Sequence, residues 1–133
     1  MEILIVSESD IDYGNTLDAL EQLNIQLLTS RAVDVQDAKN KLQNKDYDII
    51  LVNLNSEAII DFIKNINHKT YKNNIIAISE DSNYDMIKSA MKSGAKQFIC
   101  KDDLDAKSLE ESIIFAAYKN SNKCTKKVKK WKK

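Results

Sequence analysis

Short continuous apolar runs alternate with amphipathic stretches along the chain. Ile3-Leu4-Ile5-Val6, within residues 2–6, has the pattern of a strand buried on both faces. Asp12 then reads as the N-cap of a helix in which Tyr13, Leu17 and Leu20 recur at helical spacing. Ile25-Gln26-Leu27-Leu28 predicts a second strand. Asp34 with Asp37 forms a variant capping box, in which Asp replaces the stronger Glu or Gln, and the helix that follows turns Val35, Ala38 and Leu42 inward. Residues 48–54 contain Ile49-Ile50-Leu51-Val52, the strongest strand pattern in the chain. Ile59, Ile60, Phe62, Ile63 and Ile66 mark a very apolar third helix, and Ile75-Ile76-Ala77-Ile78 a fourth strand. Met86, Ile87, Ala90 and Met91 mark a helix that Gly94 ends in left-handed geometry. Gln97-Phe98-Ile99-Cys100 is the fifth strand, and Leu109, Ile113, Ala116 and Ala117 line a last helix that fades near Asn120.

Five strand–helix units in strict alternation predict an α/β fold, with a parallel sheet covered on both faces. Right-handed crossovers reduce the topologies to a doubly wound sheet, flavodoxin-like for five strands, in the order 2-1-3-4-5. There is no internal repeat, no proline and no Pro/Gly linker. The one boundary is a composition shift near Lys119, which divides the chain into a globular domain, residues 1–119, and a basic tail, residues 120–133.

Charge sharpens that division. Residues 1–118 hold 12 basic and 20 acidic side chains, a net −8, whereas residues 119–133 hold eight lysines and no acid. A split of this kind points to an interaction tail, and solvated disorder is its default conformation. No run of about 18 apolar residues is present, so no membrane span is expected. The first residues lack the layout of a secretory leader, and the expected location is cytoplasmic. Cys100 falls in an apolar strand and reads as a small core residue; Cys124 lies in the tail; their spacing is not that of metal ligands.

In a doubly wound sheet, ligands bind beyond the carboxyl ends of the strands. Strand 1 runs out into Ser7-Glu8-Ser9-Asp10, strand 3 into Asn53-Leu54-Asn55, strand 4 into Ser79-Glu80-Asp81 and strand 5 into Cys100-Lys101-Asp102. With Ser93-Gly94-Ala95-Lys96-Gln97-Phe98 ahead of the last strand, this succession resembles the response-regulator receiver (CheY-like) family over residues 1 to about 119. That family carries an acidic pair after strand 1, a phosphate-accepting Asp after strand 3, Ser or Thr after strand 4, and Gly-Ala before and Lys after strand 5. The resemblance makes Ser7, Glu8, Asn53, Ser79 and Lys101 the phosphoacceptor-site positions, with Ser79 and Phe98 at the family's switch positions.

The departures carry the functional expectation. Asn53 stands where the family has its nucleophilic carboxylate, and a neutral amide oxygen is a far poorer nucleophile. Of the acidic pair only Glu8 keeps a charge, so it offers at most a weak metal site, and magnesium binding is expected to be weak or absent. Glu80 replaces a small residue, Asp102 replaces a proline, and the loop after strand 3 is about two residues short of the family's. Plainer roles stand beside each position. Lys101 pairs with Glu8 or a sequence neighbour, Ser79 bonds to backbone at a strand end, and Phe98, which has no hydroxyl, packs in the core. His68 sits in a polar loop without a catalytic role. No nucleophile–base pair, Gly-rich phosphate loop or Cys/His cluster is present, so no enzyme and no cofactor are expected.

The leading expectation is an atypical receiver that regulates through phosphorylation-independent protein–protein contacts. By resemblance, these involve the face of helix 4, strand 5 and helix 5 (residues 84–92, 97–100 and 104–118), to a protein partner or a second copy. A rival is a nucleic-acid-binding regulator that uses the receiver fold to dimerise. Its tail residues Lys126, Lys127, Lys129, Lys130, Lys132 and Lys133 would face phosphates and Trp131 would stack on a base. A second rival is a working phosphoacceptor with an altered site.

Overall fold

The computed structural model describes residues 1–67, 74–80 and 83–119. The expectations placed on His68, Asp81, Cys124 and the tail lysines and Trp131, and on the side chain of Ala117, lie outside the described residues. Five strands and five helices alternate: β1 (Glu2–Val6), α1 (Asp10–Glu21), β2 (Leu28–Ala32), α2 (Val35–Asn44), β3 (Ile49–Asn53), α3 (Glu57–Asn67), β4 (Ile75–Ser79), α4 (Tyr84–Ser93), β5 (Gln97–Cys100) and α5 (Ala106–Lys119). A single 3-10 turn, Lys101–Asp103, joins β5 to the last loop. All strand pairs are parallel, and the sheet order is β2-β1-β3-β4-β5, as predicted.

Side chains of successive strand residues point to opposite faces, so each central strand feeds two cores. Leu4, Val6, Ile50, Val52, Ile75 and Ala77 pack with Ala38 of α2, Phe62 and Ile63 of α3 and Ala90 of α4. Ile3, Ile5, Ile49, Leu51, Ile76 and Ile78 pack with Ala19 and Leu20 of α1 and Leu109 and Ile113 of α5. β3 and β4 are buried throughout, which is why their sequences are unbroken apolar runs. Gly94 closes α4 with φ 138°, and the N–H groups of Gly94 and Ala95 both donate to the Ala90 carbonyl. Among the described residues no helix is long and apolar enough to cross a membrane.

Three local expectations are corrected. β2 begins at Leu28, three residues after the predicted start. It is an edge strand with Leu28 and Thr29 exposed, so it needs no apolar run. Leu27 instead packs, partly buried, against the α1–α5 core. The N-cap of α1 is Ser9, whose hydroxyl accepts from the Asp12 N–H at 3.2 Å, and Asp12 lies inside the first turn. In α2, Asp34 does cap the Asp37 N–H (2.7 Å), but the Asp37 carboxylate reaches back past the cap to the Val33 N–H (3.0 Å). Ser9→Ala is therefore expected to lower stability by about 0.5–2 kcal/mol, measured as the shift in urea midpoint at constant slope.

Candidate functional site

The carboxyl ends of β1, β3, β4 and β5 bring Ser7, Asn53, Ser79 and Lys101 to one end of the sheet. Asn53 is held there by register. It lies opposite Ile78 of β4, and the Leu54 N–H continues the ladder by donating to the Ile78 carbonyl at 2.9 Å. Its side chain is 1% exposed, and neither atom of its amide has a hydrogen-bond partner among the described residues. Buried polar side chains are nearly always paired, so this orphaned amide marks the position as unusual.

On the β1 side, Ser7 is fully buried and its hydroxyl donates to the Ser9 carbonyl at 3.1 Å. Glu8 is exposed. Lys101 does not pair with Glu8 as expected. Its ammonium donates to Asp12 Oδ2 at 2.8 Å, with 24% of the lysine and 17% of the aspartate side chain accessible. The two residues are 89 positions apart, so only the packing of α1 beside the end of β5 brings them together. Sequence reasoning gave Asp12 a capping role instead, and i,i+4 or capping patterns hold no trace of such a pairing.

Arg31, near the end of β2, was also missed. Its guanidinium donates to the Ser7 carbonyl through Nε (3.3 Å) and Nη2 (3.2 Å), pairs with Asp10 at 2.9 Å and lies 4.6 Å from the Tyr13 ring centroid. The planar guanidinium serves as donor, ion and stacking partner at once, which a lysine cannot do. It ties the β1–α1 loop to the edge of the sheet.

At β4, the Ser79 hydroxyl donates to the Glu80 carbonyl (3.3 Å) and accepts from the Asn83 amide (3.4 Å), while Glu80 itself is exposed. Phe98 and Cys100 are half-buried on the edge strand β5 rather than in the core, because no further strand covers that edge.

Beside these strand ends a cleft of about 330 Å³ opens between α1 and the start of α5. Asp12, Asn15 and Asp18 line it from α1, Asn53 and Lys101 from the strand ends, and Leu104 and Asp105 from the loop before α5. Asp105 caps α5 by accepting from the Ser108 N–H at 2.8 Å, which holds its carboxyl below the usual carboxylate range. The Val33 N–H does the same for Asp37. Both folded-state pKa values lie below the unfolded ones. The stability these caps contribute is thus complete above about pH 4 and is lost as pH falls through the folded-state values. Asp105→Ala is expected to be less stable than wild type at pH 7, with the difference closing on acidification; paired urea titrations across pH 7 to 3 measure this.

The donor set does not fit magnesium. The ion favours carboxylate oxygens in a tight octahedron. The strand ends offer a buried serine already bonded to backbone, an outward-facing Glu8 and a neutral amide at residue 53. Among the described residues no three His, Cys, Asp or Glu side chains are grouped closely enough to hold a metal ion. Chemically, the arrangement provides buried hydrogen-bonding groups and a mostly acidic cleft, without a carboxylate at residue 53 to attack phosphorus.

The pattern that defines the response regulator receiver domain matches residues 3–114. No curated protein matches the chain. Solved structures share its fold. A Francisella response regulator receiver domain superposes with TM-score 0.73 at 17% identity, over 90% of this chain and 98% of that one. A response regulator from Thermotoga maritima gives 0.73 at 22% identity, over 87% and 96%. An atypical orphan response regulator, described as revealing a phosphorylation-independent regulatory mechanism, gives 0.69 at 17% identity, over 88% and 95%.

Proposed function

The chain belongs to the response regulator receiver family, and from that premise we propose that it is a pseudo-receiver, a signalling module that works by contact with a protein partner and not by accepting a phosphoryl group. One observation carries this reading: residue 53, at the end of β3, is an asparagine, 1% exposed, with no carboxylate bonded to it. The surrounding groups agree. Lys101 is engaged by Asp12, Ser7 by its own loop, and Glu8 faces outward. The phosphorylation-independent regulatory mechanism attributed to the atypical orphan regulator, which has the same fold, supports this reading. The module has no catalytic function of its own in this reading.

The partner-binding surface is the face of α4, β5 and α5. Tyr84 and Met91 on α4 and Ile114 and Phe115 on α5 are large apolar side chains left exposed on these two helices, Tyr84 at 65%. Such residues serve as anchors at protein interfaces. A protein partner or a second copy of the chain fits this surface.

The test is intact mass after incubation with magnesium and acetyl phosphate, for the wild type and for Asn53→Asp. The wild type is expected to gain no adduct. An adduct on the wild type, mapped to this end of the sheet, overturns the proposal. An adduct on Asn53→Asp alone shows that residue 53 by itself blocks the chemistry.

A further inference from the structure

The cleft between α1 and α5 has a charge and a floor that phosphoryl chemistry does not explain. Three carboxylates line it, Asp12, Asp18 and Asp105, against one cation, Lys101. Lys101 is already bonded to Asp12, so Asp18 and Asp105 set the local field. Asp105 remains ionised, since the Ser108 N–H stabilises its charge. At the floor sits Asn53, whose amide has a donor and an acceptor, both unpartnered and buried. The acids are too dispersed to chelate a metal ion. At about 330 Å³, the space lies at the small end of the ~300–1,000 Å³ range typical of ligand sites.

We propose that this cleft binds a small organic cation that also carries a carboxamide or an equivalent paired donor and acceptor. The Asn53 side chain turns from its closed position toward the cleft to pair with the ligand's amide, and the ligand's ammonium or guanidinium lies toward Asp18 and Asp105. Leu104 and Ala19 supply the apolar wall for the stem between them. The inference rests on the pseudo-receiver reading, because it gives Asn53 a binding role in place of a lost chemical one. Occupancy would bridge α1 to the start of α5, and α5 belongs to the proposed partner surface.

The test is a titration of the ¹⁵N-labelled full chain with three matched probes, read at the Asn53 side-chain NH₂ resonances. The probes are 4-aminobutanamide (cation and amide), succinamate (anion and amide) and butylamine (cation alone). The Asn53 signals are expected to shift saturably with 4-aminobutanamide, at about ten-fold lower concentration than with either control. Asp18→Asn, an exposed substitution, is expected to weaken that binding by a few-fold, as is added salt. In Asn53→Leu, followed at the backbone resonances of α1, 4-aminobutanamide and butylamine are expected to bind alike. No saturable shift with 4-aminobutanamide, or equal binding of succinamate, overturns the proposal. The mass experiment on acetyl phosphate reads a different event, so failure of the ligand and failure of the pseudo-receiver reading are separable.

Discussion

Asn53→Leu is expected to stabilise the fold by about 1–3 kcal/mol. The substitution removes a buried amide that has no hydrogen-bond partner, and the desolvation penalty of such a group is of that size. Leucine has a similar branched shape, Leu51 and Ile78 on the same face are apolar, and the adjoining cleft leaves room for its greater volume, so overpacking takes back little of the gain. Urea unfolding at pH 7 measures this as a raised midpoint with unchanged slope. A fall in stability would mean that the amide is engaged in the free protein and that its isolation is wrong. A buried position that gains stability on a polar-to-apolar change is held polar for a reason other than folding.

Asn53→Asp is expected to act in the opposite sense, with a loss of about 3–5 kcal/mol at pH 7. This change places a charge where nothing compensates it. Lys101 is the cation that lines the same cleft as residue 53, and it is bonded to Asp12. Burial raises the pKa of the new carboxyl above its unfolded value of about 3.9. The sign follows from proton binding. Below the unfolded value both states are protonated and the variant approaches wild type. As pH rises from there to the raised folded-state value, the unfolded state ionises first and the penalty grows. Difference unfolding curves for variant and wild type between pH 3.5 and 8, at matched ionic strength, measure it. A penalty under roughly 1 kcal/mol across that range would show that Lys101 leaves Asp12 for the new carboxylate, and so that the pocket retains the family's electrostatics.

The sheet was legible because its three inner strands are buried on both faces. Ile49–Val52 and Ile75–Ile78 admit no polar residue, and the apolar run marks each strand directly. The β2 expectation failed for the complementary reason. An edge strand has one flank open, and its residues, Leu-Thr-Ser-Arg-Ala, satisfy the β1 ladder without an apolar signature. The more apolar Ile25-Gln26-Leu27 stretch is loop that lines a groove beside α1. At the site, positions were legible and partners were not. Asn53, Ser79 and Lys101 follow strand ends and can be placed by counting. Asp12 with Lys101, and Arg31 with Ser7, meet across 89 and 24 residues, and only the folded sheet defines those meetings. The capping rule that picked Asp12 was sound in type. It failed in register because Ser9, three residues earlier, is an equally good cap and lies next to the strand end.

The strand order also has a consequence for the chain as it is made. β1 is synthesised before both of the strands that flank it, β2 and β3, and it is hydrogen-bonded to both. Its second partner begins at Ile49. At synthesis rates of about 5–20 residues per second, Ile3-Leu4-Ile5-Val6 waits on the order of 2–10 seconds with one flank open and its side chains uncovered. For that interval this apolar segment is a sticky, extended peptide, of the kind that chaperones at the exit tunnel hold. The nascent chain therefore depends on the β1 side chains being shielded before its own sheet can shield them.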